Sequence, residues 1–332
     1  MSQLYSTAYH PGKLDGLNFL VTGGAGFIGS HLVEYLLQWN ASRVVVLDNL
    51  STGFKENIEP FLDNPRFHWI HGDITNPEDC EKATQGIDYV LHQAALGSVP
   101  RSIENPIATN WHNVNGFLNV LWAAKKNQVK RIVYASSSSV YGDSETLPKQ
   151  ESKIGKPLSP YAVSKLVNEH YAGVFAKVYG MEITGLRYFN IFGPRQNPAG
   201  AYAAAIPLFM NALLSNKSAY INGDGSQTRD FTFVSNAVQG NIRALFSPIQ
   251  KNISPVYNIA VSERVSVLEL YKTLMELSGK PMEPIHREER AGDIKDSLAD
   301  ISLATTEIGY QPQVKIKEGL AITLSWFQKA FF

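Results

Sequence analysis

The sequence predicts an α/β protein, in which a doubly wound parallel sheet carries a smaller C-terminal α/β cap. The first observation is the alternation of short apolar runs with helical patterns through the first half of the chain. Such alternation with short connections is typical of a parallel sheet covered by helices on both faces. The second is a glycine-rich turn after the first strand, and the third is a loss of regularity after Asn190.

The predicted elements follow from residue periodicity. β-Branched and apolar runs predict buried strands, and apolar residues at a spacing of three to four predict helices. Strands are expected at 18–23, 43–48, 67–73, 89–94, 131–136 and 182–189, and helices at 27–39, 77–85, 103–127 and 159–179. Beyond Asn190 we expect a strand and turn within 220–231, a buried strand at 256–261 and helices at 266–279 and 316–331.

The order of these elements predicts two interleaved units. Residues 1–190 form the larger unit, and residues 232–262 return to it with a further sheet strand. Residues 191–231 and 263–332 form the cap. Segment 287–300 is polar, which predicts a loop.

Composition excludes several classes of protein. The 332 residues include 30 basic and 30 acidic side chains, so there is no basic excess of the kind that binds nucleic acid or a membrane surface. A single cysteine, Cys80, cannot form a disulfide within the chain. No apolar run is long enough to span a bilayer, and the first residues lack an apolar signal core. We expect a cytoplasmic protein with no metal site, no nucleic-acid partner and no membrane partner.

The turn "VTGGAGFIGSHLV" predicts a dinucleotide site of the Rossmann type. Gly23, Gly26 and Gly29 lie between a strand and a helix, where glycine permits a tight turn and close approach of a pyrophosphate to the helix N-terminus. Asp48 ends the next strand, 19 residues past Gly29. A carboxylate there binds ribose hydroxyls and repels a 2′-phosphate, which favours NAD over NADP. Asp73 ends a later strand, where it could meet an adenine amine or cap the following helix.

The stretch "SPYAVSKLVNEHY" predicts a helix with one reactive face. Ser159 is a suitable N-cap with Pro160 after it, and Tyr161 and Lys165 are four residues apart, on the same face. An ammonium near a phenol lowers the pKa of the phenol, so Tyr161 could act as a general base on a sugar hydroxyl. The pair alone is common in ordinary amphipathic helices.

Taken together, these motifs resemble the extended short-chain dehydrogenase/reductase family, in its nucleotide-sugar branch. The chain carries "LDNLSTG", "GDI", "HQAA", "NVNG", "SPYAVSK", "RYFNIFGPRQ", "DGSQTRDF" and "RAGD" in family order, so the resemblance covers most of its length. It implies that Tyr161 is the base, that Lys165 supports it and holds the nicotinamide ribose, and that Ser137 shares the substrate hydroxyl. A register shift of one residue would give that last role to Ser138.

The same resemblance implies a chemistry without water loss. Ser138 and Ser139 occupy the positions where the dehydratase branch carries an Asp–Glu pair, and hydroxyls cannot do that acid–base work. What remains is epimerisation with no net redox change. Tyr161 takes the proton of the 4-hydroxyl, a hydride passes from carbon 4 to NAD, and the 4-keto sugar rotates before the hydride returns to its other face.

The family motifs also imply that the larger unit is an NAD-binding Rossmann domain, that the cap binds the UDP-sugar, and that a wider set of residues makes contacts. For NAD the implied residues are Gly23, Gly26, Phe27, Ile28, Gly29, Asp48, Asn49, Ser51, Thr52, Gly53, Asp73, Ile74, Gln93, Ala94, Ala95, Asn113, Tyr161, Lys165 and Tyr188. For the UDP-sugar they are Gly97, Ser98, Arg101, Ser137, Ser138, Ser139, Tyr161, Asn190, Ala204, Ile206, Tyr220, Asn222, Arg229, Arg290, Asp293 and Ser297. Arg229 and Arg290 are assigned to the diphosphate and Asp293 to the uridine ribose.

Two positions bear on which sugar is bound. Ser297 stands where 4-epimerases restricted to glucose and galactose carry a tyrosine, and a small residue there admits an N-acetyl group. Gly97 stands where the glucose-type pattern has a lysine, and "GSVPRS" resembles the group that acts on UDP-N-acetylglucosamine and UDP-N-acetylgalactosamine. That group also includes enzymes for N-acetylhexosaminuronic acids, and Arg101 could neutralise a 6-carboxylate or serve as a structural loop residue.

The expected function is therefore NAD-dependent 4-epimerisation of UDP-N-acetylglucosamine. The corresponding uronic acids and UDP-glucose/UDP-galactose remain as alternatives. A non-catalytic NAD-binding regulator on the same fold is a further alternative, and it predicts loss of Tyr161, Lys165 or the serine, all of which are present. The helices predicted at 103–127 and 159–179 resemble the pair through which the family dimerises, so we expect a homodimer.

Overall fold

The fold is built on a seven-stranded parallel sheet, as the sequence predicts. A computed structural model of the chain describes residues 3–198, 204–288 and 296–332. The strands of the main sheet run in the order β11–β6–β5–β4–β1–β2–β3. The seven are β1 (Asn18–Thr22), β2 (Arg43–Asp48), β3 (Phe67–His71), β4 (Tyr89–His92), β5 (Arg131–Ser137), β6 (Glu182–Tyr188) and β11 (Val256–Ile259).

Helices cover both faces of this sheet, because its strands are apolar on both sides. One face is packed by α1 (Phe27–Gln38) and α8 (Val234–Phe246), with α10 (Ser302–Ile308) beside β11. The other face is packed by α2 (Pro77–Thr84), α5 (Phe117–Lys126) and α6 (Pro160–Tyr179). Both cores consist of fully buried aliphatic and aromatic side chains, so the sheet is shielded from water on its two faces.

The remaining elements gather around a third apolar cluster, which forms the cap. Its helices are α7 (Ala205–Leu214), α9 (Val267–Ser278) and α11 (Ile316–Phe331). Its strands form two-stranded pairs: β7 (Ile191–Phe192) with β10 (Thr232–Phe233), β8 (Tyr220–Asn222) with β13 (Ile285–Arg287), and β9 (Thr228–Arg229) with β12 (Val265–Ser266). The strand β11 and the helix α8 return to the main sheet between these pieces. The division of the chain at 190, 232 and 262 stays a prediction.

One predicted helix differs from the structure. The segment 103–127 is interrupted: α3 (Val99–Glu104) ends at Asn105, and a second helical run begins at Pro106. That run passes from α4 (Pro106–Asn110) through one π-helical stretch, Trp111–Gly116, into α5. The break has a local cause, because proline cannot extend the preceding helix, and the Asn105 side chain instead accepts a hydrogen bond from the amide of Ala108.

The helix α6 begins and ends as the sequence indicates. Ser159 caps it by accepting a hydrogen bond from the amide of Ala162 at 3.1 Å, and Gly180 ends it in the left-handed conformation, φ +67°. A buried ion pair then fixes the helix to the sheet: Arg187 of β6 donates to Glu169 at 2.7 Å, with side chains 4% and 9% exposed. Ser136 of β5 also donates to Glu169, at 2.6 Å.

We predict that Glu169→Gln destabilises the protein by about 3–5 kcal/mol, because it leaves the buried guanidinium of Arg187 without its counter-charge. Urea unfolding, followed by circular dichroism, measures the change. The matched control is Glu276→Gln, which removes an exposed ion pair to Lys317 and is expected to cost about 1 kcal/mol or less. Equal losses in the two variants would show that the buried pair does not hold α6 in place.

Candidate active site

One cleft crosses the carboxyl edge of the main sheet, with a volume of about 530 Å³. It begins over β5 and β6, passes the glycine turn after β1, and ends beyond β2 and β3. This is where the strand order reverses, since β1 lies between β2 and β4. Ligands of doubly wound sheets bind at such a point.

The glycine turn is shaped for close approach. Gly23 has φ +68°, and a Cβ atom there would lie 2.7 Å from the backbone nitrogen of Ala94. A Cβ atom on Gly29 would lie 2.1 Å from the carbonyl oxygen of Gly23, so only glycine lets the helix begin so near the turn. Gly26 precedes α1 and offers no side-chain cap. The first amides of the helix therefore point into the cleft as an anion site, which fits a pyrophosphate.

Two carboxylates lie at the end of the cleft beyond β2 and β3, here called the far end. Asp48 accepts hydrogen bonds from the amides of Ala25, at 2.9 Å, and Leu50, at 2.8 Å, while burial raises its pKa. Asp73 accepts from the amide of Thr75, at 2.8 Å, and from the Asn49 side chain, at 2.6 Å. Burial raises the pKa of Asp73, but these hydrogen bonds outweigh it and the pKa is lowered overall. Asn76, and not Asp73, caps α2.

Ser137, Tyr161 and Lys165 lie together at the end of the cleft over β5 and β6, here called the near end. The Ser137 side chain hydrogen-bonds to the Tyr161 phenol, and Lys165 Nζ lies 5.9 Å from the centre of the Tyr161 ring. Lys165 is 2% exposed and donates to the carbonyl oxygen of Ala135 at 2.8 Å. The parallel order of β5 and β6 and the position of α6 over them bring these groups to one edge.

The pKa of Tyr161 differs from the sequence-based expectation. Burial of the phenol raises its pKa, and the hydrogen bond with Ser137 opposes that shift. Burial lowers the pKa of Lys165 to about 8. The Lys165 ammonium donates to a backbone carbonyl and lies nearly 6 Å from the centre of the Tyr161 ring. The protein's own groups therefore do not produce the lowered phenol pKa that the spacing of Tyr161 and Lys165 predicts.

Most predicted site residues line the cleft. Of the cofactor set, these are Gly23, Gly26, Phe27, Ile28, Gly29, Asp48, Asn49, Ser51, Thr52, Asp73, Ile74, Gln93, Ala94, Ala95, Tyr161, Lys165 and Tyr188. Gly53 lies behind the glycine turn, where a Cβ would meet the backbone of Ala25 at 2.9 Å. Asn113 lies one layer back, holding the backbone of Leu96 with two hydrogen bonds and donating to Ser164 at 3.1 Å.

The substrate set divides more evenly. Gly97, Ser98, Arg101, Ser137, Asn190 and Ala204 line the cleft. Arg290 and Asp293 lie outside the described residues. The others are not among the lining residues, namely Ser138, Ser139, Ile206, Tyr220, Asn222, Arg229 and Ser297.

Local packing explains why those residues lie elsewhere. Ser138 and Ser139 begin a short 3₁₀ turn that carries the chain away from the cleft. Ile206 is 2% exposed within the cap core, and Tyr220 stacks against the guanidinium of Arg287 instead of facing the cleft. Arg229 donates to the carbonyl of Thr228, and the Ser297 amide donates to the same carbonyl at 3.1 Å, so these two lie side by side in the cap.

Sequence reasoning missed Asn241, which is the partner of two predicted cofactor residues, Gln93 and Tyr188. Gln93, Tyr188 and Asn241 form a closed ring of hydrogen bonds: Tyr188 donates to Gln93, Gln93 to Asn241, and Asn241 back to the Tyr188 oxygen at 2.6 Å. Asn241 belongs to α8, a helix that the sequence pattern did not indicate, and carried no motif. Further lining residues absent from the predicted sets are Leu47, Gly72, Leu96, His112, Ala135, Ser136, Ile191, Gln196 and Asn197.

No helix within the described ranges has the length and apolarity to cross a membrane.

Comparison with known proteins identifies the relatives of this chain. UDP-glucose 4-epimerase of Mycolicibacterium smegmatis is 35% identical over 311 residues, 93% of this chain and 98% of that protein. The structure of UDP-N-acetylglucosamine 4-epimerase from Methanobrevibacter ruminantium, in complex with UDP-N-acetylmuramic acid, superposes with a TM-score of 0.89 at 38% identity, covering 95% and 99% of the two chains. UDP-glucuronic acid 4-epimerase from Bacillus cereus, with UDP-glucuronic acid and NAD, gives 0.88 at 34%, covering 95% and 100%.

The sequence profile of the NAD-dependent epimerase/dehydratase family matches residues 19–260. Together with the solved relatives, this confirms the predicted Rossmann-type fold and the predicted use of NAD. The chain belongs to the NAD-dependent epimerase/dehydratase family.

Proposed function

We propose that this protein is a UDP-N-acetylhexosamine 4-epimerase that interconverts UDP-N-acetylglucosamine and UDP-N-acetylgalactosamine. The observation that carries the epimerase assignment is the composition of the near end of the cleft. Ser137, Tyr161 and Lys165 meet there, whereas the only acids lining the described part of the cleft, Asp48 and Asp73, lie at the opposite end. Elimination of water from a sugar needs a general acid and a general base beside it, and in the dehydratase branch of the resembling family an Asp–Glu pair fills these roles.

The residues at this end suit reversible oxidation. Tyr161 is placed to take a proton from a sugar hydroxyl, and the Ser137 hydroxyl can bond to the same oxygen. Lys165 donates to the carbonyl oxygen of Ala135, with its ammonium 5.9 Å from the centre of the Tyr161 ring. Bound NAD would supply the hydride acceptor, and its positive ring would favour the phenolate. The cleft would hold the keto-sugar in place between its oxidation and its reduction.

Support for an N-acetylated substrate comes from Gly97. This residue lines the cleft, and a Cβ atom built on it meets nothing within 4 Å, so packing does not require glycine there. The absence of a side chain leaves room for a substituent on the sugar. Ser98 next to it has φ +111° and caps α3, which holds its hydroxyl near that space. The relative from Methanobrevibacter ruminantium is named for UDP-N-acetylglucosamine.

A second candidate substrate is a UDP-sugar that carries a 6-carboxylate. Arg101 lines the cleft one turn into α3, and a guanidinium is well suited to bind a carboxylate. The relative from Bacillus cereus acts on UDP-glucuronic acid by name. Arg101 is the residue that would distinguish the two candidates.

The assay is equilibration of purified protein with UDP-N-acetylglucosamine, UDP-glucose and their uronic acids, followed by NMR. We expect conversion to the 4-epimer, fastest for UDP-N-acetylglucosamine. Turnover of the uronic forms alone would favour the second candidate. Lack of turnover of every UDP-sugar would refute the epimerase assignment.

We predict that Tyr161→Phe lowers kcat by about 10²–10⁴-fold, because the phenol is the proposed base. The bound NAD, measured by absorbance after denaturation, is expected to remain at the wild-type level, since the ring still packs in the cleft. The matched control is Tyr179→Phe, which lies at the other end of α6, outside the lining of the cleft, and is expected to leave kcat unchanged. Retention of activity in Tyr161→Phe would assign the base to another group.

We predict that Ser297→Tyr selectively suppresses turnover of N-acetylated substrates. Ser297 is 9% exposed beside Arg229 and does not line the cleft, so this expectation rests on its place in the family motif and on the longer reach of a tyrosine. A phenol there is expected to crowd the 2-substituent and lower kcat/KM for UDP-N-acetylglucosamine by about tenfold or more. Turnover of UDP-glucose is expected to survive. Ser297→Ala keeps the site small and should preserve the wild-type ratio of the two substrates. An equal fall for both substrates in Ser297→Tyr would contradict this gate.

We also propose that the protein forms a homodimer through α6 and the helical run that begins with α4. Apolar side chains on this surface are unusually exposed: Ile107 by 82%, Trp111 by 52%, Val174 by 53% and Val178 by 63%. Ile107 and Trp111 are one turn apart, as are Val174 and Val178, and α4 packs against α6. Contiguous apolar stripes on neighbouring helices are typical of protein interfaces.

We expect light scattering after gel filtration to show a dimer, and Ile107→Lys/Val178→Lys to shift it to monomer, because each change places a charge within the apolar interface. The control is Ile253→Lys, at a similarly exposed apolar residue in the loop before β11, which should leave the dimer intact. A monomeric wild-type protein, or a double variant that remains dimeric, would exclude this interface.

A further inference from the structure

The segment before β1, residues 3–17, here called the strap, is packed against α1. It precedes residues 19–260, which the family profile matches. Tyr5, Tyr9 and Leu14 are each at most 4% exposed and belong to the apolar core on that face of the sheet. The strap is therefore an integral layer of the fold and not a loose end.

One hydrogen-bond chain connects the strap to the cleft. The Tyr5 phenol bonds to His31 Nδ1 at 2.7 Å, and His31 Nε2 bonds to the carbonyl oxygen of Pro194 at 3.0 Å. A carbonyl only accepts, so Nε2 carries the hydrogen and Nδ1 accepts from the phenol. Burial lowers the pKa of His31 to about 3, which keeps this tautomer neutral at physiological pH. His31 lies on α1 and is 1% exposed, and its ring thus connects the strap, at Tyr5, with the loop that contains Pro194.

The second connection lies one turn along α1. Glu34, 3% exposed at its side chain, forms an ion pair with Arg195, the residue after Pro194. Arg195 has φ +67°, a conformation that non-glycine residues adopt rarely and that needs support from its surroundings. The loop that α1 holds in this way, residues 190–197, lines the cleft with Asn190, Gln196 and Asn197.

We propose that the strap sets the position of the loop 190–197, with Tyr5 and His31 as positioning residues for binding of the UDP-sugar. This rests in part on the proposed function. Tyr5 has an anchor of its own besides the phenol, because the side chains of Gln38 and Trp39 donate to its carbonyl oxygen at 2.9 and 3.1 Å. The Tyr5 hydroxyl is therefore not needed to hold the strap, and its hydrogen bond with His31 acts on the position of the loop 190–197.

The test uses the full chain with Tyr5→Phe, which removes only the hydroxyl, and Tyr9→Phe as the matched control. Tyr9 is also buried in the strap, but its hydroxyl donates to Gln313, away from His31 and the loop. Two quantities are measured: the rate of tryptic cleavage after Arg195, identified by mass spectrometry, and the KM and kcat for the UDP-sugar.

We expect Tyr5→Phe to accelerate cleavage after Arg195 and to raise KM, each by about tenfold, because one buried hydrogen bond is lost. The kcat is expected to stay within about twofold, since the bond does not touch the reactive residues, and Tyr9→Phe is expected to behave as wild type. If the two variants behave alike, the strap contributes stability only and the proposal is wrong. If wild type turns over no UDP-sugar, the proposed function fails, and the cleavage rates still decide the role of the strap.

Discussion

The register of α6 against β5 is the constraint on which the site depends. Three successive residues of β5 bond to three residues of α6 that are each one turn apart. Ala135 accepts from Lys165, Ser136 donates to Glu169, and Ser137 bonds to Tyr161. A shift of the helix by one residue would rotate all three side chains off the strand, since neighbouring helical residues point about 100° apart. The buried charge of Arg187, paired with Glu169, makes such a shift costly.

A closed ring of side-chain hydrogen bonds fixes a second part of the cleft, here called its floor. The ring of Gln93, Tyr188 and Asn241 connects β4, β6 and α8, and satisfies side-chain groups that would otherwise be buried without partners. Networks of this kind tolerate few arrangements, because every lost bond leaves a desolvated polar atom. A floor that is fixed in this way can position a dinucleotide, but it has little freedom to select among sugars.

The sequence predicted those parts of the structure whose signals are local. The strands of the parallel sheet, the capped start of α6 and the glycine turn each depend on neighbouring residues, and most cofactor residues on their motifs line the cleft. The helix α8 was missed because it is buried almost throughout, so its polar residues, such as Asn236 and Asn241, face partners and not water. The raised pKa of Tyr161 was also unpredictable, because the degree of burial is a property of the packed fold.

The positions of the predicted substrate residues could not be obtained from local sequence signals. The part of the cleft around the glycine turn is built on strand ends, whose meeting at one edge follows from parallel order. The cap contributes the segment 190–197, whose position depends on contacts between residues distant in sequence, such as that of His31 with Pro194. Arg229 and Ser297 are adjacent because both bond to the carbonyl of Thr228, although 68 positions separate Ser297 from Arg229. Under the proposed function, the residues of β5 and α6 carry the chemistry, and selection among sugars depends on segments whose positions are set by such distant contacts.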